Sequence, residues 1–316
     1  MSLPAPENVH AGALPLVSLV VVTYNSAPLL PAFFAALAAT TYPAYEVVVV
    51  DNASRDTTLR YLDETQPGVK TLANTTNRGF GPACNQGAQV ARGALLVFLN
   101  PDVTVTPDWL TLLVAHSAAH PEVGILCPVT LYPGDVPEPT TEVLRETAAV
   151  PGAAMMVIRA AWQALGGFDE QIFLYWEDTE LCWRAWRMGW RVASDMQAVV
   201  YHRRGGSAGG MDWDAQRIKN SLYTYLKLMR WRRVLPFAAV LACKTVVKFA
   251  LRPRRALPGA WIWNATHLAE TLVARSRLAR GRGIASARLE QMIDTHAREQ
   301  ARQRRTGRGP RAAATA

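Results

Sequence analysis

Apolar residues along the first 200 positions fall in short blocks without polar alternation, and polar residues close each block. Val17-Ser18-Leu19-Val20-Val21-Val22-Thr23 is the first block and is rich in β-branched side chains. Such a run is the pattern of a strand buried on both faces, as in a parallel sheet. Tyr45 to Val50 and Ala94 to Leu99 repeat it, and Val69 to Leu72 is a shorter version. Helical spacing runs between them over about 28–39, 57–64, 81–91 and 107–119, the last with Pro107 in its first turn. Strand and helix in this rhythm predict a doubly wound, mostly parallel α/β sheet.

Further on, Met155 to Ile158 reads as a strand and 160–165 as a short helix closed by Gly166-Gly167. A helix is expected over 179–188, with Leu181, Ala185 and Met188 as its apolar stripe, Glu180 and Arg184 as an exposed pair, and Gly189 as its stop. Trp190 to Ala193 is extended, and Ala198 to Tyr201 is a strand delivering His202. Gly205-Gly206 and Gly209-Gly210 then bracket a loop carrying Ser207.

After Asp212 the pattern changes. Residues 218–229 have amphipathic helical spacing with basic and aromatic side chains. Residues 234–251 are mostly apolar but contain Lys244 and Lys248, and Arg232, Arg233, Arg252, Arg254 and Arg255 flank them. Two internal lysines argue against a spanning helix. The expectation is a helix in the membrane interface with its arginines on anionic headgroups; the competing one is a helix packed on the body. The chain thus divides into a tail (1–16), an α/β body (17–210), a membrane-proximal helical region (211–280) and an Arg-rich tail (281–316), partly helical and disordered over its last ten or so residues.

Charge sharpens this division. Residues 1–200 carry 10 Lys+Arg against 19 Asp+Glu, and residues 201–316 carry 24 against 6. An acidic body with a basic end should seek an anionic surface. A basic tail alone gives only salt-dependent, unspecific affinity for nucleic acid, and no aromatic stacking platform accompanies it. Cys84, Cys127, Cys182 and Cys243 form no close pair, which suits a reducing cytosol rather than a disulfide framework or zinc cluster. The first fifteen residues have no basic flank before an apolar run, so no signal peptide is expected.

Candidate chemistry collects at predicted strand ends: Thr23-Tyr24-Asn25, Asp51-Asn52 and Asn100-Pro101-Asp102. Open α/β sheets bind ligands there, although any single Asp also serves as a helix cap. The stretch 168–180 holds five carboxylates interleaved with Phe173, Leu174, Tyr175 and Trp176. Carboxylates held against apolar surface have tunable proton affinity.

In order, the chain reads Val-Val-Thr-Tyr-Asn at 21–25, Val-Val-Asp-Asn-Ala-Ser at 49–54, Asn-Arg-Gly-Phe-Gly-Pro-Ala-Cys-Asn-Gln-Gly at 77–87, Asn-Pro-Asp at 100–102, Gly-Gly-Phe-Asp-Glu at 166–170, Trp-Glu-Asp-Thr-Glu at 176–180, then His202. Over about 17–210 this series resembles the family 2 inverting glycosyltransferases with the GT-A fold, and within them the rhamnosyltransferase-like branch that extends surface polysaccharides. Each motif is weak alone; seven in order are specific.

The resemblance implies a nucleotide-sugar donor, dTDP- or UDP-linked, with L-rhamnose a candidate sugar, and a lipid-linked or polysaccharide acceptor. It implies a site on the cytoplasmic face of the membrane. It implies Mn²⁺ or Mg²⁺ on the diphosphate, held by Asp102 and His202, with Asn100 standing where the family has a first Asp. Thr23, Tyr24, Asn25, Asp51 and Asn52 match the nucleoside-reading positions, and Arg78 and Gly79 the segment closing over it. Asn85 is either a nucleotide contact or a buried polar residue of a helix. Asp178 matches the base that deprotonates the acceptor hydroxyl, with Glu177 as the second candidate. Asp169, Glu170, Trp176 and Glu180 are candidate acceptor contacts, turn and cap chemistry being the alternative for Asp169 and Glu170. A sugar nucleotidyltransferase would need a Gly-rich basic loop after the first strand, which residues 23–28 lack. A non-catalytic sugar-nucleotide binder would have no use for Asp102, Asp178 and His202 together.

Overall fold

β1 (Val17–Thr23) is buried at every position and runs through the middle of the sheet. A computed structural model of the chain describes residues 14–203, 212–279 and 287–295. β1 pairs in parallel with β2 (Tyr45–Asp51) on one side and β4 (Leu95–Leu99) on the other; β3 (Lys70–Ala73) extends the parallel set beyond β2. The crossovers are α1 (Leu30–Ala38), α2 (Thr58–Thr65) and α3 (Phe80–Val90). Side chains alternate between two cores: Val20 and Val22 enter one layer, Leu19 and Val21 the other. Each fully buried Val or Leu contributes about 1.5–3 kcal/mol, which explains why polar residues appear only at the strand ends.

The other half of the sheet is mixed. β5 (Val103–Val105), α4 (Trp109–Ala119), β6 (Val123–Leu131), β7 (Leu144–Glu146), β8 (Ala154–Ile158), α5 (Arg159–Leu165), α6 (Glu177–Arg187) and β9 (Arg191–His202) follow in the chain. The spatial order is β3-β2-β1-β4-β8-β6-β9-β5, with β7 on β9. β8 is antiparallel to both β4 and β6, whereas β6 and β9 are parallel.

β5, β6 and β7 were not legible as strands. β5 and β7 have three residues each, too few for a period. In β6 Gly124 and Pro128 interrupt the pattern, and the register with β9 shifts at Pro128/Val129, where a strand tolerates a proline. β9 is one strand rather than two pieces. Its polar centre folds around Asp195, which accepts from the Gln197 and Ala198 amides and pairs with His116 Nδ1 at 2.6 Å.

α7 (Trp213–Leu228) starts at Asp212, whose carboxylate accepts from the Ala215 amide at 3.1 Å. Its buried residues include Ile218, Asn220, Leu222, Tyr223 and Lys227, so this helix packs on the body. α8 (Trp231–Leu251) differs: of its 21 residues only Val234 and Thr245 are buried, and Leu235, Val240, Val246, Val247, Phe249 and Leu251 are exposed. α9 (Ala256–Thr266) and α10 (Leu268–Ala279) follow, and Ile262, Leu272 and Val273 on them are exposed as well. α8 is, among the described residues, the one helix long and apolar enough to cross a bilayer by length and composition, with a mean hydropathy of 1.9. Ser207, the glycines around it and the last twenty-one residues lie outside the described residues.

Candidate active site

The carboxyl ends of β1, β2 and β4 point to one edge of the sheet, which gathers the polar residues. Asp51 ends β2 and is fully buried. It accepts from Thr23 Oγ1 at 2.9 Å, and from the Ser54 amide and hydroxyl at 2.9 and 2.5 Å. Ser54 Oγ in turn accepts from the Asn25 amide, while Asn25 Oδ1 accepts from the Arg55 amide. Asn25 and Ala53 sit in the left-handed region, at φ 51° and 66°. Asp51 thus locks two loop tips together, leaving Tyr24 half-buried and Asn25 exposed at the edge. Ser54 is a further partner, and the local signal for it is the turn in which an Asp side chain bonds a nearby backbone amide.

Asn52, also buried, donates to the Gly79 carbonyl at 2.9 Å and accepts from the Arg78 amide at 3.2 Å. It holds the Arg78-Gly79 segment, with the Arg78 side chain exposed. Gly79 has φ 91°, and a Cβ there would stand 2.3 Å from the Phe173 carbonyl oxygen, so no other residue fits. Asn85 is not free for a nucleotide. Its Nδ2 donates to the Phe168 carbonyl at 3.0 Å, and its Oδ1 accepts from the Phe168 amide at 2.9 Å. Both ends of the amide are spent on the turn that carries Asp169 and Glu170, which supports the buried-polar alternative.

Asp102 follows β4, and His202 closes β9. Antiparallel pairing of β5 with β9 sets Val103 opposite His202. The result is Asp102 Oδ1 at 3.1 Å from His202 Nε2. Two adjacent ligands of an octahedral ion with bonds of about 2.1 Å stand roughly 3 Å apart, so the spacing of these two donors fits two neighbouring positions on a hard divalent ion. Asn100 is half-buried beside them, its carbonyl accepting from the Val103 amide. Among the described residues no third His, Cys, Asp or Glu joins the pair, so an ion held there would need its other ligands from a bound molecule or water.

The first turn of α6 carries Glu177, Asp178 and Glu180. Before it, Tyr175 and Trp176 both adopt left-handed backbone, at φ 67° and 74°. That costs on the order of 1–2 kcal/mol per residue and persists only where surroundings enforce it. Asp178 Oδ2 accepts from the Gly152 amide at 3.0 Å, and Oδ1 from the Thr179 amide at 2.6 Å. Glu177 is buried, and its Oε2 has no hydrogen-bond partner among the described residues. Burial first, then the adjacent Asp178 charge, pushes Glu177 up to about 8. Burial also raises Asp178, but the Gly152 and Thr179 donors oppose it. Of the two, Asp178 is the member with donors aimed at its carboxylate, which favours the ionised form there.

One turn on, the acids are fully spent. Glu180 has no exposed surface; Arg184 donates to both its oxygens, Nε at 3.0 Å and Nη2 at 2.6 Å, and Lys227 Nζ donates at 2.6 Å. Arg184 also donates to the Leu165 and Gly167 carbonyls. Asp169 accepts from Tyr223 Oη at 2.7 Å and Lys227 Nζ at 2.5 Å. Burial alone would raise Asp169, but Lys227 and Tyr223 hold it below the usual carboxylate range. The exposed Glu180–Arg184 pair expected from the spacing is thus a buried one, because α7 covers that face of α6. The same contact removes Glu180 from any acceptor, and Trp176 packs edge-on against Trp183 at 5.7 Å between ring centroids. Only Glu170 among the expected acceptor contacts is exposed.

The sequence profile described as Glycosyl transferase family 2 matches residues 18–193, more than half of the chain. The N-acetylglucosaminyl-diphospho-decaprenol L-rhamnosyltransferase of Mycobacterium tuberculosis is 28% identical over 235 residues, covering 60% of this chain and 76% of that protein. Two solved structures share the fold: TarS 1–349 of S. aureus in complex with UDP (TM-score 0.57, 18% identity, 90% of this chain and 92% of that one) and the mannosyltransferase PcManGT of Pyrobaculum calidifontis in complex with GDP-Man and Mn²⁺ (TM-score 0.54, 21% identity, 92% and 89%). The chain belongs to glycosyl transferase family 2 and is a glycosyltransferase of the GT-A fold.

Proposed function

We propose that this chain is an inverting, divalent-metal-dependent glycosyltransferase that moves a sugar from a nucleoside-diphosphate donor to a lipid-linked or polysaccharide acceptor. The observation that carries the reading is the 3.1 Å pair of Asp102 Oδ1 and His202 Nε2 at the sheet edge, separate from the Asp178 acid at the start of α6. Bound there, Mn²⁺ or Mg²⁺ would offset the charge that develops on the departing diphosphate. Tyr24, Asn25 and the Arg78 segment line the edge where a nucleoside would lie. Asp178 takes the proton of the acceptor hydroxyl, helped to stay ionised by the amide ends of α6. Attack assisted from that side, opposite the leaving group, inverts the anomeric centre. The mycobacterial relative makes L-rhamnose and a polyprenyl-diphosphate-linked acceptor the first candidates, and the motif resemblance makes dTDP or UDP the donor nucleotide to try first.

The test is a thermal-shift screen of dTDP, UDP and GDP with and without Mn²⁺, repeated on His202→Ala. One nucleotide should stabilise the chain strongly only with Mn²⁺, and His202→Ala should lose that increment. An increment unchanged in the variant removes His202 from the site.

We place the protein on the inner face of a membrane, held by α8 and its neighbours. The exposed Val246, Val247 and Phe249 with exposed Lys244, Arg252 and Arg255 support an interfacial helix over anionic lipid. Flotation with anionic vesicles should drop for a variant with Val246, Phe249 and Ile262 changed to Ser, and equal flotation would count against this surface. Deleting everything after residue 210 is the poorer test, because it also strips α7 from the body.

A further inference from the structure

The turn before Asp178 holds two consecutive aromatic residues in left-handed backbone. Neither is glycine, and Trp176, the residue preceding α6, makes no side-chain cap. What grips the turn lies about 45 residues further along the chain, on one face of α7. Asn220 is fully buried, and its Nδ2 donates to the Leu174 and Tyr175 carbonyls at 2.9 and 2.8 Å. Two carbonyl acceptors fix which end of the amide faces the turn. Its Oδ1 has no partner among the described residues, so the side chain is satisfied only at the end that faces the turn. One residue before it, Lys219 Nζ donates to the Gln171 carbonyl at 2.9 Å. One and two turns after it, Tyr223 and Lys227 hold Asp169. Positions 219, 220, 223 and 227 share a helix face, so one rigid element pins the 169–175 loop at three places.

The same loop touches the donor edge. The Phe173 carbonyl accepts from the Phe80 amide at 2.9 Å, beside Gly79. The loop therefore lies between the segment expected over the nucleoside and the acid expected to act as base.

We infer that α7 is a positioning element of the active site and that Asn220 is its central residue, fixing the Tyr175-Trp176 turn so that Asp178 faces the acceptor hydroxyl. This rests on Asp178 being the base. Asn220 touches no reacting atom; it acts through the two carbonyls. A C-terminal helix outside the α/β sheet is then required for turnover as well as for stability.

The test uses the full chain with Asn220→Ala and with Asn220→Asp, which keeps the side-chain shape but removes the donor. Hydrogen exchange, which needs no substrate, should quicken over 173–179 in both variants while the sheet amides stay protected. With dTDP-rhamnose and a polyprenyl-diphosphate-linked N-acetylglucosamine, or whichever donor turns over with the unaltered chain, kcat should fall on the order of 10- to 100-fold with the donor KM unchanged. A merely structural residue would lower the folded fraction and leave kcat per folded molecule alone. Unchanged exchange at 173–179, or an unchanged kcat in both variants, overturns the inference. Asp178→Asn, assayed beside them, separates the two claims: full turnover there removes the base, whereas a dead Asp178→Asn with an active Asn220→Asp removes only the clamp.

Discussion

The two ends of one short acidic stretch on α6 have opposite fates. Among the described residues no ion pair reaches Glu177 or Asp178, and burial raises both. Glu180, one turn later, meets two cations, Arg184 and Lys227, and is fully buried. The contrast shows that acid density does not mark chemistry. A carboxylate with its charge fully paired is a strut; one held by amide donors and lacking a counter-ion keeps free-energy to spend on a proton.

Three changes would break or sharpen this contrast. The largest effect is expected for Asp178→Asn, which should lower turnover on the order of 10²- to 10⁴-fold while nucleotide binding survives. Product formation and nucleotide titration on the same preparation check it. Next, Glu180→Ala strands the buried Arg184 guanidinium, leaves Lys227 with Asp169 alone, and should cost about 3–5 kcal/mol in urea unfolding. A loss below 1 kcal/mol would mean that the pairing contributes little.

The smallest effect is expected for Glu177→Gln. In the folded chain Glu177 keeps its proton up to about 8, whereas an unfolded chain releases it near 4.3. Its stabilisation is therefore complete below about 4.3 and is lost as pH rises through about 8. The amide never titrates, so the variant should lose part of the decline in Tm between pH 5 and pH 8. Turnover should stay close to that of the unaltered chain, since a neutral acid is replaced by a neutral amide. A collapse matching that of Asp178→Asn would make Glu177 the base instead.

The same contrast bears on how far the site could be read in advance. Asp102, Asp178 and His202 are candidates that the family resemblance supplies on motifs at strand and helix ends. The 3.1 Å approach of Asp102 to His202 came instead from β5, a three-residue strand with no period to read, paired with the end of β9. Asn85 and Glu180 carried the same kind of signal but turned inward, toward Phe168 and Lys227. No spacing announces a partner 47 residues away on another helix.

The sequence by itself determined the parallel half of the sheet, because burial on both faces imposes unbroken apolar runs that are visible one strand at a time. It also determined the polar carboxyl edge and the family. Only the tertiary structure decided which acids are paired, since pairing depends on α7 docking across α6. It also decided the mixed half, where β8 runs antiparallel between β4 and β6, and the exposed face of α8. An apolar helix reads the same along the chain whether a neighbour covers it or not; burial is a property of what packs beside it.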